Sequence, residues 1–230
     1  MWNDEKVNFD EYANNYESLL SNQLKFFNSD RNYFSEYKVS LIKNRLTTIP
    51  KKILDFGSGI GLSTPFLKSY FPSAQIYASD TSIKSLDYIK NTYPEVKVIH
   101  DDLLSCEEFD LIFVTGVFHH IHPKEREIIL LRLANLLSNS GNLVIFEHNP
   151  YNPVTRRMVA TCPFDADAQL LAKSKLLSLI SKVPKIKLID SGYCLFFPES
   201  LKNLRKIEER LFWLPMGGQY FVIANKSKVE

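Results

Sequence analysis

Lys52-Ile53-Leu54-Asp55-Phe56-Gly57-Ser58-Gly59-Ile60-Gly61 is the stretch that decides the fold. Apolar residues lead to an acid, and three glycines follow at alternate positions. Leu62-Ser63-Thr64-Pro65-Phe66-Leu67 then takes up a helical pattern. Strand, glycine turn and helix in that order open a βαβ unit. The chain has eight glycines, and this one turn holds three of them. Without a Cβ the backbone passes close to a ligand and adopts φ > 0 at little cost. Asp55 narrows the choice of ligand. A carboxylate two residues before the first glycine sits poorly against a pyrophosphate, but it suits a ligand that carries an ammonium group. The dinucleotide fingerprint G-x-G-x-x-G has a different spacing, and its third glycine would fall on Leu62.

Outward from the turn, strands and helices alternate. The helix after the turn runs to Tyr70 and stops at Phe71-Pro72. Gln75–Asp80 reads as a second strand ending in an acid, and Thr81-Ser82 caps a helix through Asn91. Val96–His100 is expected as a third strand, followed by Asp101-Asp102. Phe109–Val114 is a fourth, nearly all apolar and so buried on both faces. Pro123 is expected to open a helix that closes at Ser140-Gly141, ahead of a fifth strand at Asn142–Glu147. Asn149-Pro150-Tyr151-Asn152-Pro153 reads as a loop that its prolines keep out of regular structure. Beyond it come a helix from Asp165 through Ser181 and a sixth strand region over Ile186–Ile189 and Tyr193–Phe197. A helix at Glu199–Leu211 and a last strand at Gln219–Asn225 complete the chain. Upstream, Phe9, Tyr12 and Tyr16 begin a helical pattern over residues 8–46. The expectation is one α/β domain over residues 1–230: a helical N-terminal part (1–46), a core (47–150) and a second half (151–230).

The 230 residues suffice for one such domain with a proper core. Cys106, Cys162 and Cys194 are odd in number and scattered, which argues against disulfides or a zinc site and for a reducing compartment. No metal is expected. The polar start Met1-Trp2-Asn3-Asp4-Glu5-Lys6 lacks the apolar stretch of a signal peptide, and no apolar run is long enough to cross a bilayer. A cytoplasmic location is expected. The net charge of +2 hides an asymmetry, because residues 1–120 are acidic on balance and residues 121–230 basic. A basic half suits an anionic acceptor or membrane surface, or is simply a set of solvated helix faces.

In doubly wound sheets ligands bind at the carboxyl ends of the strands, where Asp55, Asp80, Asp101-Asp102, Thr115-Gly116 and Glu147-His148 stand. Asp80 is placed to accept both ribose hydroxyls of a nucleoside, and Asp101 or Asp102 an adenine amino group. The glycine turn resembles motif I of the class I S-adenosylmethionine-dependent methyltransferases. Thr115-Gly116-Val117-Phe118-His119-His120-Ile121 is similar to the family's segment after strand four. The resemblance covers about residues 50–150 and implies a Rossmann-like, seven-stranded sheet whose last strand runs antiparallel. It implies S-adenosylmethionine as cofactor, held by Asp55, Gly57, Ser58, Gly59, Gly61, Asp80, Thr81, Asp101, Asp102 and Thr115. Residues 9–16 resemble the family's lid helix, which brings Tyr12 and Tyr16 towards the acceptor.

The segments Phe146–Arg157 and Thr161–Asp165 look like bacterial methyltransferases that accompany surface-polysaccharide enzymes. They suggest a small-molecule acceptor, anionic or lipid-linked, touched by Glu147, Arg156 and Arg157. If its nucleophile is a hydroxyl, a base is needed, and His148 is the first choice and His119 the second. Nothing resembles a nucleic-acid module. A non-catalytic subunit that keeps the fold, or an aminopropyltransferase, remains open as an alternative.

Overall fold

In a computed structural model, the described residues are 7, 10, 32–100, 104 and 107–227. Their elements, in chain order, begin with α1 (Tyr33–Lys43), β1 (Lys52–Phe56), α2 (Thr64–Tyr70), β2 (Gln75–Ser79) and α3 (Ile83–Thr92). Next come β3 (Lys97–Val98), β4 (Phe109–Thr115), α4 (Arg126–Leu136), β5 (Leu137–His148) and α5 (Pro153–Thr161). The last are α6 (Lys173–Ile180), β6 (Ile186–Cys194) and β7 (Gln219–Lys226). The strands form one seven-stranded sheet in the order β3-β2-β1-β4-β5-β7-β6. β7 lies antiparallel between β5 and β6, while the pairs from β3 through β5 are parallel.

Alternation along the central strands builds a core on each face. Leu54, Ile112, Val114, Leu143 and Ile145 point to the face covered by Leu130 and Leu133 of α4 and Leu176 of α6. Ile53, Leu111, Phe113, Val144 and Phe146 point to the other, covered by Ile42 of α1 and Leu67 of α2. Burial on both faces is what the continuous apolar runs of β4 and β5 require. Strand order reverses direction between β1 and β4, and the loops that leave their carboxyl ends diverge there. That divergence leaves the crevice in which such sheets bind ligands.

Several boundaries differ from those expected. The third strand is only Lys97–Val98. Pro153 does not break structure but opens α5, because a first-turn proline loses no hydrogen bond. Asn152 caps that helix, its side chain accepting from the amides of Val154 and Thr155 at 3.0 Å each. The helix expected from Asp165 begins only at Lys173. Residues 166–172 are drawn off by long-range hydrogen bonds: Gln169 N donates to His119 O at 2.7 Å, and Arg126 Nη2 to Gln169 O at 2.6 Å. α4 starts at Arg126 rather than Pro123, and β5 follows it directly at Leu137. The sixth strand is continuous, and Glu199–Leu211 forms 3₁₀ turns kinked at Leu201.

Candidate functional site

The loop after β1 is shaped by its glycines, with φ of +69° at Gly57, +51° at Gly59 and +80° at Gly61. The amides of Gly57 and Ser58 both donate to Ser79 O at the end of β2, at 2.8 and 3.0 Å. Asp80 then ties the loop from the other side. Its Oδ2 accepts from Gly59 N and its Oδ1 from Ser82 N, each at 2.8 Å. The glycines serve different ends. A Cβ on Gly57 would strike the Val117 side chain at 2.4 Å, and one on Gly61 would crowd Thr64 Oγ1 at 3.0 Å. A Cβ on Gly59 would meet nothing within 4 Å, because that backbone faces open space.

The open space is a cavity of about 630 Å³. Asp55, Gly57, Ser58, Gly59, Ser79, Asp80 and Thr81 line one end of it, at the ends of β1 and β2. Asp55 is 2% exposed, and among the described residues its Oδ2 has no hydrogen-bond partner. Burial, and then the charge of Asp80, raise its carboxyl to about 7, with Lys38 pulling the other way. Lys38 reaches the wall from α1 with its ammonium 5.9 Å from the Phe146 ring centre, and burial lowers its own pKa.

The other end is built from histidines and acids. His119 Nδ1 lies 2.7 Å from Glu147 Oε2, and His120 Nδ1 lies 2.8 Å from Asp167 Oδ1. Asp165 Oδ1 stands between them, 3.5 Å from His119 Nε2 and 3.4 Å from His120 Nε2. The His148 ring centre is 5.0 Å from that of His119. Burial disfavours the charged form of His119, but the carboxylates of Glu147 and Asp165 outweigh it and hold the imidazole protonated. His148 goes the other way. Burial first, then the neighbouring His119 charge, lowers it to about 4, so its ring is neutral near pH 7.

A sequence model described as a methyltransferase domain matches residues 53–141, the stretch that carries the glycine turn, Asp80 and the two histidines. A relative from Alkaliphilus oremlandii, named an uncharacterized methyltransferase, is 27% identical over 156 residues, 62% of this chain and 68% of that protein. Other relatives are spanned over less of their length, down to 25%. A SAM-dependent methyltransferase from Archaeoglobus fulgidus has the same fold, with a TM-score of 0.68 at 15% identity over 92% of this chain and 100% of that one. A TehB-like SAM-dependent methyltransferase from Corynebacterium glutamicum does too, with a TM-score of 0.62 at 19% identity over 96% and 98%. Over residues 53–141 the chain is similar to methyltransferase domains, and its fold is that of the S-adenosylmethionine-dependent methyltransferases compared.

S-adenosylmethionine is the cofactor, and the residues present fit it. Among the described residues the buried Oδ2 of Asp55 and the Oγ of Ser79, both on the cavity lining, have no hydrogen-bond partner and could take one from a ligand. Gly59 leaves room for a ligand to lie against the backbone. Each oxygen of Asp80 accepts one backbone amide and retains further acceptor capacity for ribose hydroxyls.

The structure brings together most of the residues singled out in the methyltransferase sequence. Asp55, Gly57, Ser58, Gly59, Asp80, Thr81, Thr115, His119 and His148 all line the cavity. Gly61 is set back, packing α2 against α3. Glu147, expected to touch the acceptor, lies behind His119, fully buried, and also accepts from Phe118 N at 2.6 Å. Arg156 and Arg157 are exposed and line a separate, shallower depression. Asp101, Asp102, Tyr12 and Tyr16 lie outside the described residues. Lys38, His120, Asp165 and Asp167 also line the cavity, yet no site was expected at any of them. His120 and Asp165 fall inside segments that resemble methyltransferases, Lys38 and Asp167 carry no signal, and nothing local connects the two acids to the adjacent histidines.

Proposed function

We propose that the chain methylates a hydroxyl of a small-molecule acceptor, with His148 as the base that takes the hydroxyl proton. Bound S-adenosylmethionine supplies an electrophilic methyl group. Asp55 and Asp80 hold the two halves of the cofactor, and the walls of the cavity align the acceptor and keep water out. The position of His148 carries this reading. It ends β5 on the cavity wall, and its Nδ1 lies 3.4 Å from the side-chain amide of Gln219. Gln219 Nε2 faces Nδ1, and Gln219 Oε1 is unpartnered among the described residues. The flipped amide satisfies Oε1 by accepting from Nδ1–H, which leaves Nε2 of His148 to accept a proton. His119 is a poorer base, since carboxylates face both of its ring nitrogens.

The acceptor we infer is a sugar or similar hydroxyl compound of surface-glycan or secondary metabolism, linked to a phosphate or other anion and handled in the cytoplasm. The depression that Arg156 and Arg157 line shares Val159 and Asp165 with the cavity. An acceptor whose hydroxyl end enters the cavity thereby leaves a charged tail beside the two guanidinium groups. Replacing His148 by Ala tests the base. Turnover is expected to fall about a hundredfold or more while affinity for S-adenosylhomocysteine holds. Unchanged turnover would remove His148 from the chemistry.

A further inference from the structure

We propose that His119, His120 and Asp165 bind one transition-metal dication at the acceptor end of the cavity. One ligand atom from each lies within 4.8 Å of the other two. Distances within the cluster fall into two sets. The outer contacts, Nδ1 of each histidine to Glu147 or Asp167, are 2.7 and 2.8 Å, the length of a charge-assisted hydrogen bond. The inner ones, from each Nε2 to the same Asp165 oxygen, are 3.5 and 3.4 Å. That is long for a hydrogen bond to an imidazole N–H, whose usual length is about 2.9 Å. These two distances suit a metal site, and the third side of the set, between the two histidine nitrogens, lies within 4.8 Å and would tighten on binding. Bonds of about 2.0–2.2 Å to nitrogen and oxygen in a tetrahedron set neighbouring ligand atoms about 3.3–3.6 Å apart.

The surroundings agree with that reading. Each histidine gives its Nδ1 to a carboxylate, which fixes the ring and directs Nε2 inward, as outer-shell acids do for metal-bound imidazoles. Those acids are themselves held: Glu147 accepts from the amides of Phe118 and His148, and Asp167 from that of Val7. Three carboxylates thus gather around two imidazoles in a largely buried place, and a dication bound at Nε2 of His119 would take the place of the proton those carboxylates otherwise hold there, releasing it to solvent. Imidazole with one carboxylate favours zinc, iron or nickel over magnesium or calcium, which prefer all-oxygen sets. All three donors line the cavity, so the remaining coordination positions face it. A hydroxyl oxygen of the acceptor fits there. That use rests on the proposed hydroxyl methylation, whereas ion binding rests on these residues alone.

Protein dialysed against a chelator and then titrated with Zn²⁺ is expected to take up one ion per chain. Co²⁺ in its place should show the visible absorption of a four-coordinate site. Asp165→Ala and His120→Ala should each weaken Zn²⁺ by a hundredfold or more, and Asp167→Asn by about 10–100-fold. Titration with S-adenosylhomocysteine reports whether each variant is folded, and His120→Asn stands in should His120→Ala fail that check. No Zn²⁺ uptake, or uptake that both ligand variants leave unchanged, overturns the site. Lost Zn²⁺ with S-adenosylhomocysteine binding intact in the wild type would leave the methyltransferase reading standing.

Discussion

Gly59 is bare towards the cavity, and its backbone sits at φ +51°. Gly59→Val would fill that space with a branched side chain, so binding of S-adenosylhomocysteine is expected to vanish in a calorimetric titration. Strain at a left-handed position costs about 1–3 kcal/mol, a loss of several degrees in melting temperature, without unfolding the chain. Near-normal affinity in a folded variant would place the cofactor elsewhere. Asp55 yields a prediction in pH. Burial and Asp80 raise its carboxyl to about 7 in the free protein, from an ordinary 3.8. The folded state therefore holds the proton that the unfolded chain loses, and this contribution to stability declines as pH rises from about 4 to 7. A cationic ligand favours the carboxylate, so affinity should climb by up to tenfold per unit below pH 7 and level off above it. Asp55→Asn should flatten both trends. If the wild-type affinity profile is already flat between pH 5.5 and 8, Asp55 does not face the cofactor's charge.

At the scale of elements, local signals were read well where local chemistry decides. The Ser82 cap of α3 is present, its hydroxyl accepting from Ser85 N at 3.1 Å, and the helix runs within a residue of the expected span. Residues 166–172 fared differently. Their pattern reads as helix, but hydrogen bonds to partners more than forty residues away hold them open. Asp165 and Asp167 meet His119 and His120 at the start of that segment, a pairing across more than forty residues that nothing local in the sequence announces. α5 shows the limit from the other side. Arg156 and Arg157 were visible as cations after β5, but their exposed face could not be read before the helix itself was known. From that face a prediction follows. Arg156→Ala or Arg157→Ala should raise KM for an anionic acceptor by a few-fold with little change in kcat, and salt should shrink the difference. Variants that match wild type at low salt would remove the arginines from acceptor binding.

For the whole molecule, one turn of ten residues predicted most of the architecture. A glycine loop after an acid-tipped strand requires a parallel βαβ start, and the acids that end later strands gather at the same edge because parallel strands share a direction. The antiparallel β7 between β5 and β6 followed from the family resemblance rather than from any pattern of its own. The measurement that tests the central claim most directly is calorimetric titration of the full chain with S-adenosylhomocysteine and, separately, with NAD. One S-adenosylhomocysteine per chain is expected, with no NAD binding. Asp80→Ala should weaken it ten- to a hundredfold, since a lost charged acceptor costs about 1.5–3 kcal/mol. Tight NAD binding without S-adenosylhomocysteine binding would contradict the account.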